Sequence, residues 1–189
     1  MIKIVTIQGS VRKGNYTAFA TALVIDELKK QPDVEVVAID PADYKLNFPG
    51  QSEENDSKKL QELVGSAVGV VLATPEYHGT FSSVLKLVFE NLSFPSELKG
   101  KPVSLLGVAA GRIGAIKSLE HLRSVCAHVG AMALPYSISI ANVQKMFDAQ
   151  GNCIDAATDK TIRSVAQNHI EYIRRHVCPG ISVEEIVRS

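Results

Sequence analysis

Residues 9–15 of this chain read Gly-Ser-Val-Arg-Lys-Gly-Asn, with a further hydroxyl at Thr17. Ser10, Arg12, Asn15 and Thr17 bring two hydroxyls, a planar cation and an amide into one short stretch. All four can donate to anionic oxygen, and flanking glycines let backbone N–H groups approach a ligand closely. A second group begins at Thr74 and reads Thr-Pro-Glu-Tyr-His-Gly. Tyr77 is a flat aromatic that could cover a planar ring, with Glu76 and His78 as polar neighbours. Pro75 stiffens the approach, and Gly79 permits an unusual backbone angle. A third group, from Ala109 to Ala115, carries Gly111, Arg112 and Gly114. Each group also has a plainer reading. Asn15 or Ser10 can cap a helix, as can Thr80 or Ser82, and Arg12 and Arg112 can be solvated surface charges.

These groups recur at the same kind of place, where an apolar run ends and a helical pattern starts. Strands are expected at 2–7, 34–39, 68–74, 102–109 and within 131–140, the last interrupted or started by Pro135. Helices are expected at 16–30, 57–67, 82–92, 116–129 and 155–176. Five strands alternating with five helices predict an α/β fold with right-handed crossovers and a parallel sheet covered on both faces. The flavodoxin-like three-layer sandwich, with a five-stranded parallel sheet of order 2-1-3-4-5, suits that count best. Ligands then bind beyond the carboxyl ends of the strands, and the loops after strands one, three and four meet there.

Several functions are set aside at this stage. Lys+Arg and Asp+Glu both number 20, so the formal net charge is zero and nucleic acid is not expected as a partner. No apolar run reaches the length of a membrane span. Cys126, Cys153 and Cys178 are odd in number and far apart, so they read as free thiols; neither they nor the five histidines have metal-ligand spacing. The chain is expected to be one domain over residues 1–189 in the cytoplasm, with a tail at 177–189 that is loose or at an interface. The first loop lacks the middle glycine of GxGxxG. It has the glycine spacing of a Walker loop, but Asn15 and Tyr16 stand where lysine and hydroxyl are needed. A phosphorylated, flat ligand such as FMN fits the three loops together.

With GSVRKGNYT, PEYHGTF and AAGRIGA in that order, the sequence resembles the NADPH-dependent FMN reductase family, of flavodoxin-like fold. The resemblance implies that Ser10, Arg12, Asn15 and Thr17 hold the FMN phosphate, with Tyr16 beside them. It implies that Pro75, Glu76, Tyr77, His78 and Gly79 border the isoalloxazine ring, and that Gly111, Arg112 and Gly114 approach its other edge. Asn15 and Thr17 depart from the usual serine and asparagine, and His78 from the usual asparagine. The implied activity takes hydride from NAD(P)H as co-substrate and reduces flavin, a quinone or a similar small-molecule acceptor. No catalytic acid, base or nucleophile of the chain is expected, because the cofactor carries the chemistry. The competing reading is a flavodoxin-like FMN electron carrier without NAD(P)H activity. A homodimer or homotetramer is implied, with Tyr44, Leu46, Phe48 and Pro49 of the loop at 40–57 placed to touch a neighbour's flavin.

Overall fold

A computed structural model describes residues 1–179; the rest of the expected tail lies outside the described residues. The chain runs β1 (Ile2–Gln8), α1 (Tyr16–Lys29), β2 (Val34–Ile39), α2 (Ser57–Gly65), β3 (Gly69–Tyr77), β4 (Thr80–Phe81), α3 (Ser83–Glu90), β5 (Pro102–Val108), α4 (Ile116–His128), β6 (Met132–Ala133), β7 (Ile138–Ile140) and α5 (Ala156–His176). The sheet order is β2-β1-β3-β5-β6, with every pair along it parallel. The expected α/β sandwich is present, but among the described residues the sheet has seven strands rather than five. Two local events account for the difference. The end of β3 folds back as a hairpin with β4, and the fifth strand position is split, with β6 beside the start of β5 and β7 beside its end. Pro135 lies in the gap and cannot donate a ladder hydrogen bond.

Alternation along each strand makes the three layers. Val5, Ile7, Val70, Leu72, Val103 and Leu105 face α2, α3 and α4. Ile2, Ile4, Val71, Ala73, Leu106 and Val108 face α1 and α5. Adjacent residues point to opposite faces, so strands buried on both sides read as unbroken apolar runs. The long helix α5 buries Ile162, Val165, Ala166, Ile170 and Ile173 at helical spacing, and His169 with them. Asp155 caps it, accepting from the Thr158 N–H at 2.7 Å. Just beyond it, Cys178 N donates to Ile173 O, so the first residues of the expected tail pack on this chain itself.

The loop at 40–57 is fixed to its own chain. Asn91, at the end of α3, donates to Asn47 O at 2.9 Å, and its Oδ1 accepts from Asn47 N at 3.3 Å. Tyr44 and Leu46 pack against the core under α2 and α3. Of the four residues expected to reach a neighbour, those two are engaged here, while Phe48 is exposed at the loop tip.

Candidate functional site

The carboxyl ends of β1, β3 and β5 surround a cleft of about 430 Å³. The first bank is the β1–α1 connection. There Asn15 does the shaping: its Oδ1 caps α1 by accepting from Ala18 N at 2.8 Å, and its amide donates to Arg12 O at 2.7 Å and Ser10 O at 3.3 Å. Both amide hydrogens are therefore engaged with the loop backbone, which is the capping role rather than direct ligand contact. The cap leaves the Tyr16 and Thr17 N–H groups at the positive end of α1 without backbone partners. Ser10 and Thr17 are each 2% exposed, and Ser10 Oγ has no hydrogen-bond partner among the described residues.

The two glycines of this loop have different reasons. Gly9 N donates to Ala73 O at 2.7 Å, and a Cβ at Gly9 would come within 2.9 Å of that same oxygen. Its small size lets β1 end against β3; its N–H is not free for an anion. Gly14 has φ +62° and open space around it, so it serves the left-handed turn before the cap.

The middle of the cleft is the end of β3. Pro75, Glu76 and Tyr77 line it, and the Arg12 guanidinium lies over the Tyr77 ring, 4.9 Å from its centroid. Glu76 Oε2 accepts from Ser118 N at 3.1 Å, which ties the carboxylate to the first turn of α4. His78 (φ 51°) and Gly79 (φ 75°) are the two central residues of the β3–β4 hairpin, outside the cleft lining. Positive φ at both positions is the type I′ turn, which favours Asn-Gly. Beyond it Ser82 caps α3, its Oγ accepting from Leu85 N at 3.1 Å.

The far bank is the end of β5. Val108, Ala109 and Ala110 line the cleft, whereas Gly111, Arg112 and Gly114 do not. Those glycines shape the loop, which is sewn to β7 and the segment after it. Asn142 N donates to Gly111 O at 3.2 Å, Val143 N to Ala109 O at 3.0 Å, and Ala115 N to Ser139 Oγ at 2.8 Å. Gly114 has φ +81°, and Ser139 Oγ fills the space a Cβ would need. This stitching brings Val143 into the cleft, a residue that sequence reasoning missed. Lys13, in the first loop, also lines the cleft. At the back, Tyr16 packs against Phe19 and Phe147, with ring centroids 6.0 and 6.3 Å away.

Of the thirteen residues singled out from sequence, the cleft gathers Ser10, Arg12, Asn15, Tyr16, Thr17, Pro75, Glu76 and Tyr77. His121 stands apart on α4, its Nδ1 2.9 Å from Thr80 Oγ1. Among the described residues there is no cluster suited to a metal ion and no helix long and apolar enough to cross a membrane.

A family profile described as NADPH-dependent FMN reductase matches residues 2–145. An NAD(P)H-dependent FMN reductase of Pseudomonas aeruginosa is 30% identical over 183 residues, 92% of this chain and 96% of that protein. An NADPH azoreductase of a Bacillus species is 36% identical over 137 residues, 72% and 75% of the two chains. Among solved structures, a flavoenzyme NAD(P)H:(acceptor) oxidoreductase from Paracoccus denitrificans superposes with a TM-score of 0.75. It is 20% identical, with 93% of this chain and 99% of that one covered. That likeness speaks to the fold.

Proposed function

The chain belongs to the NADPH-dependent FMN reductase family, and from that premise we propose that the cleft at the carboxyl end of its sheet holds FMN, with the phosphate on the β1–α1 loop and the ring beside Tyr77. The family makes it an FMN-dependent oxidoreductase that uses NAD(P)H. The observation that carries the assignment of the cleft is the buried Ser10 hydroxyl. It lines the cleft, has no partner among the described residues, and sits beside unclaimed N–H groups of a helix N-terminus. A buried hydroxyl is rarely left without a partner, and a phosphate oxygen supplies one there.

When bound, FMN would supply the redox chemistry, hydride acceptance from NAD(P)H and electron delivery to an acceptor. The chain's residues bind and orient. Ser10, the Tyr16 and Thr17 N–H groups and Arg12 meet the phosphate, while Asn15 holds the loop in shape for them. Tyr77 and Pro75 border the ring, and Val108, Ala109, Ala110 and Val143 give it an apolar wall. Glu76, tied to α4, fixes where the β3 end meets the far bank. The acceptor is a small molecule such as flavin, a quinone or an azo compound. All 189 residues are read as one domain, working in the cytoplasm as a homo-oligomer. The free state of Cys126, Cys153 and Cys178 is in keeping with a reducing compartment.

The test is a visible spectrum of the protein titrated with FMN, followed by NADPH or NADH without oxygen. Saturable binding and prompt bleaching are expected. Bound flavin that stays yellow with either nucleotide would make the chain a carrier instead, and absence of binding would remove the assignment. Arg12→Ala should weaken FMN binding by about 1.5–3 kcal/mol, the range for a hydrogen bond to a charged group.

A further inference from the structure

Besides Ser10, Thr6 carries a buried side-chain oxygen with no hydrogen-bond partner among the described residues. Thr6 is 1% exposed. It lies on β1, and alternation turns it to the α1 side of the sheet with Ile2 and Ile4. There it lines a second cavity, of about 260 Å³, which shares no lining residue with the cleft. The fold explains the space. β2 is the edge of the sheet, and the cavity lies where α1 covers β1 and β2. Ala18 and Ala22 of α1 and Ala38 of β2 line it, and Ala38 pairs in register with Thr6 itself. Three methyl groups leave a gap that larger side chains would fill.

The polar groups around this gap are rich in acceptors. Gln8 lines it from β1 and Thr21 from α1. The Thr21 hydroxyl donates to Thr17 O at 2.7 Å, so its lone pairs are what it offers a ligand. Asp40 and Asp43, in the turn after β2, line the cavity too. Asp40 Oδ1 accepts from Ala42 N at 2.9 Å, which leaves Oδ2 to accept from elsewhere. Neither aspartate belongs to an ion pair found among the described residues. No lysine, arginine or histidine lines the cavity. Two carboxylates are few for a cage of metal ligands, and the described residues hold no cluster suited to a metal ion.

We propose that this cavity is a second ligand site, for a small organic cation: a primary ammonium or guanidinium on a short aliphatic stem. Its N–H groups would meet Thr6 Oγ1, the Gln8 amide oxygen and the two aspartates. Its carbons would lie against Ala18, Ala22, Ile25 and Ala38. The ligand's charge offsets the carboxylates, and the buried Thr6 hydroxyl gains the partner it lacks. A neutral alcohol of the same size can reach the hydroxyls and the amide but leaves the carboxylates without a counter-charge. The site stands apart from the assignment of the cleft to FMN, since the two share the helix α1 but no lining residue.

The experiment uses the full chain, with and without FMN, labelled for backbone NMR. The probes are propylammonium, methylguanidinium, 1-butanol and Mg²⁺. Either organic cation should shift the Thr6, Gln8 and Ala38 amide signals saturably, with a dissociation constant in the millimolar range. 1-Butanol has the shape of propylammonium without its charge and should need about tenfold more, because hydrogen bonds to charged groups are the stronger ones. Thr6→Val and Asp43→Asn should each weaken propylammonium severalfold and leave FMN binding unchanged. Flavin-free Thr6→Val should melt no earlier than the parent, because a hydroxyl without a partner is removed. Equal response to propylammonium and 1-butanol overturns the proposal, as do shifts that survive both substitutions. The same shifts produced by Mg²⁺ at lower concentration overturn it in favour of a metal. No saturable shift with either organic cation overturns it too, and leaves the cavity to water. If Thr6→Val does not fold, Asp43→Asn, at an exposed position, still decides. Failure of FMN to bind would strike the assignment of the cleft, and the flavin-free chain would still decide this one.

Discussion

Ser10 and His169 are both buried polar residues with an unpartnered atom, and they lie toward opposite ends of the same sheet. Ser10 Oγ borders a cleft large enough for a ligand. His169 Nδ1 is 2.8 Å from Ser104 Oγ, but its Nε2 faces the start of β3, where a Cβ at Gly69 would lie 2.5 Å away. His169 is 0% exposed, and burial lowers its pKa to about 4. An orphaned polar atom therefore points to a binding site only where there is room for the partner it lacks. At His169 the same defect is a cost that the packing carries, and the ring stays neutral.

The largest effect should come from closing the space that His169 occupies. Gly69→Ala would force its Cβ against His169 Nε2 and, at 2.8 Å, Ile173 Cδ1. Overpacking of this kind costs about 3 kcal/mol, and roughly 2–4 °C of Tm per kcal/mol is expected at this chain length. Thermal unfolding measures it. If FMN affinity of the folded fraction fell as well, the two ends of the sheet would not be independent, and His169 would not be a purely structural residue.

At the other end, Ser10→Ala should act in the opposite sense on the two readouts. FMN affinity should fall about tenfold to a hundredfold, since a hydrogen bond to a charged group is lost. Stability without cofactor should hold or rise slightly, because a buried hydroxyl with no partner is removed. Fluorescence titration and thermal melts of the flavin-free protein give both numbers. A variant that melts early and binds FMN normally would make Ser10 another structural orphan like His169.

The histidine has its own pH signature. Its folded pKa lies below the unfolded value of about 6.5, so the unfolded chain binds the extra proton between the two. Its contribution to stability is thus complete above pH 6.5 and is lost as the pH falls toward 4. One unit into that window, at pH 5.5, the loss is about 1.4 kcal/mol. Urea unfolding at pH 7.5 and 5.5 should show it, and His169→Gln should flatten the difference. Cys126, pushed up to about 12 by burial, adds nothing to this window.

The parts of the molecule legible in sequence are those where one local rule decides. Periodicity located the five helices to within a few residues, because tertiary burial of α5 at Ile162, Val165 and Ile173 follows the helical spacing. The three loops were legible because strand ends in such sheets converge. What escaped depends on stitching between distant segments. Val143 reaches the cleft through its N–H bond to Ala109 O, and nothing in an apolar residue of a connecting segment announces that. Gly111 and Gly114 looked like ligand-approach glycines, but the second yields room to Ser139, a neighbour that sequence spacing does not reveal. Asn15 was read both as a donor to an anion and as a helix cap; the cap is the part the fold displays, with its Oδ1 accepting from Ala18 N at 2.8 Å.

His78 gives the smallest test and separates two explanations of one residue. From sequence it stands where asparagine is usual, beside a ring whose potential it could tune. In the fold it occupies the first central position of a type I′ turn at φ 51°, exposed and outside the cleft lining. Asparagine tolerates that angle better than histidine does, because its short side chain hydrogen-bonds locally. His78→Asn should therefore stabilise the chain by roughly 0.5–1 kcal/mol, less than the full cost of a left-handed residue. The flavin midpoint potential should stay where it was. A shift in potential without a gain in stability would place His78 with the cleft, and the turn would then be the lesser reason for its position.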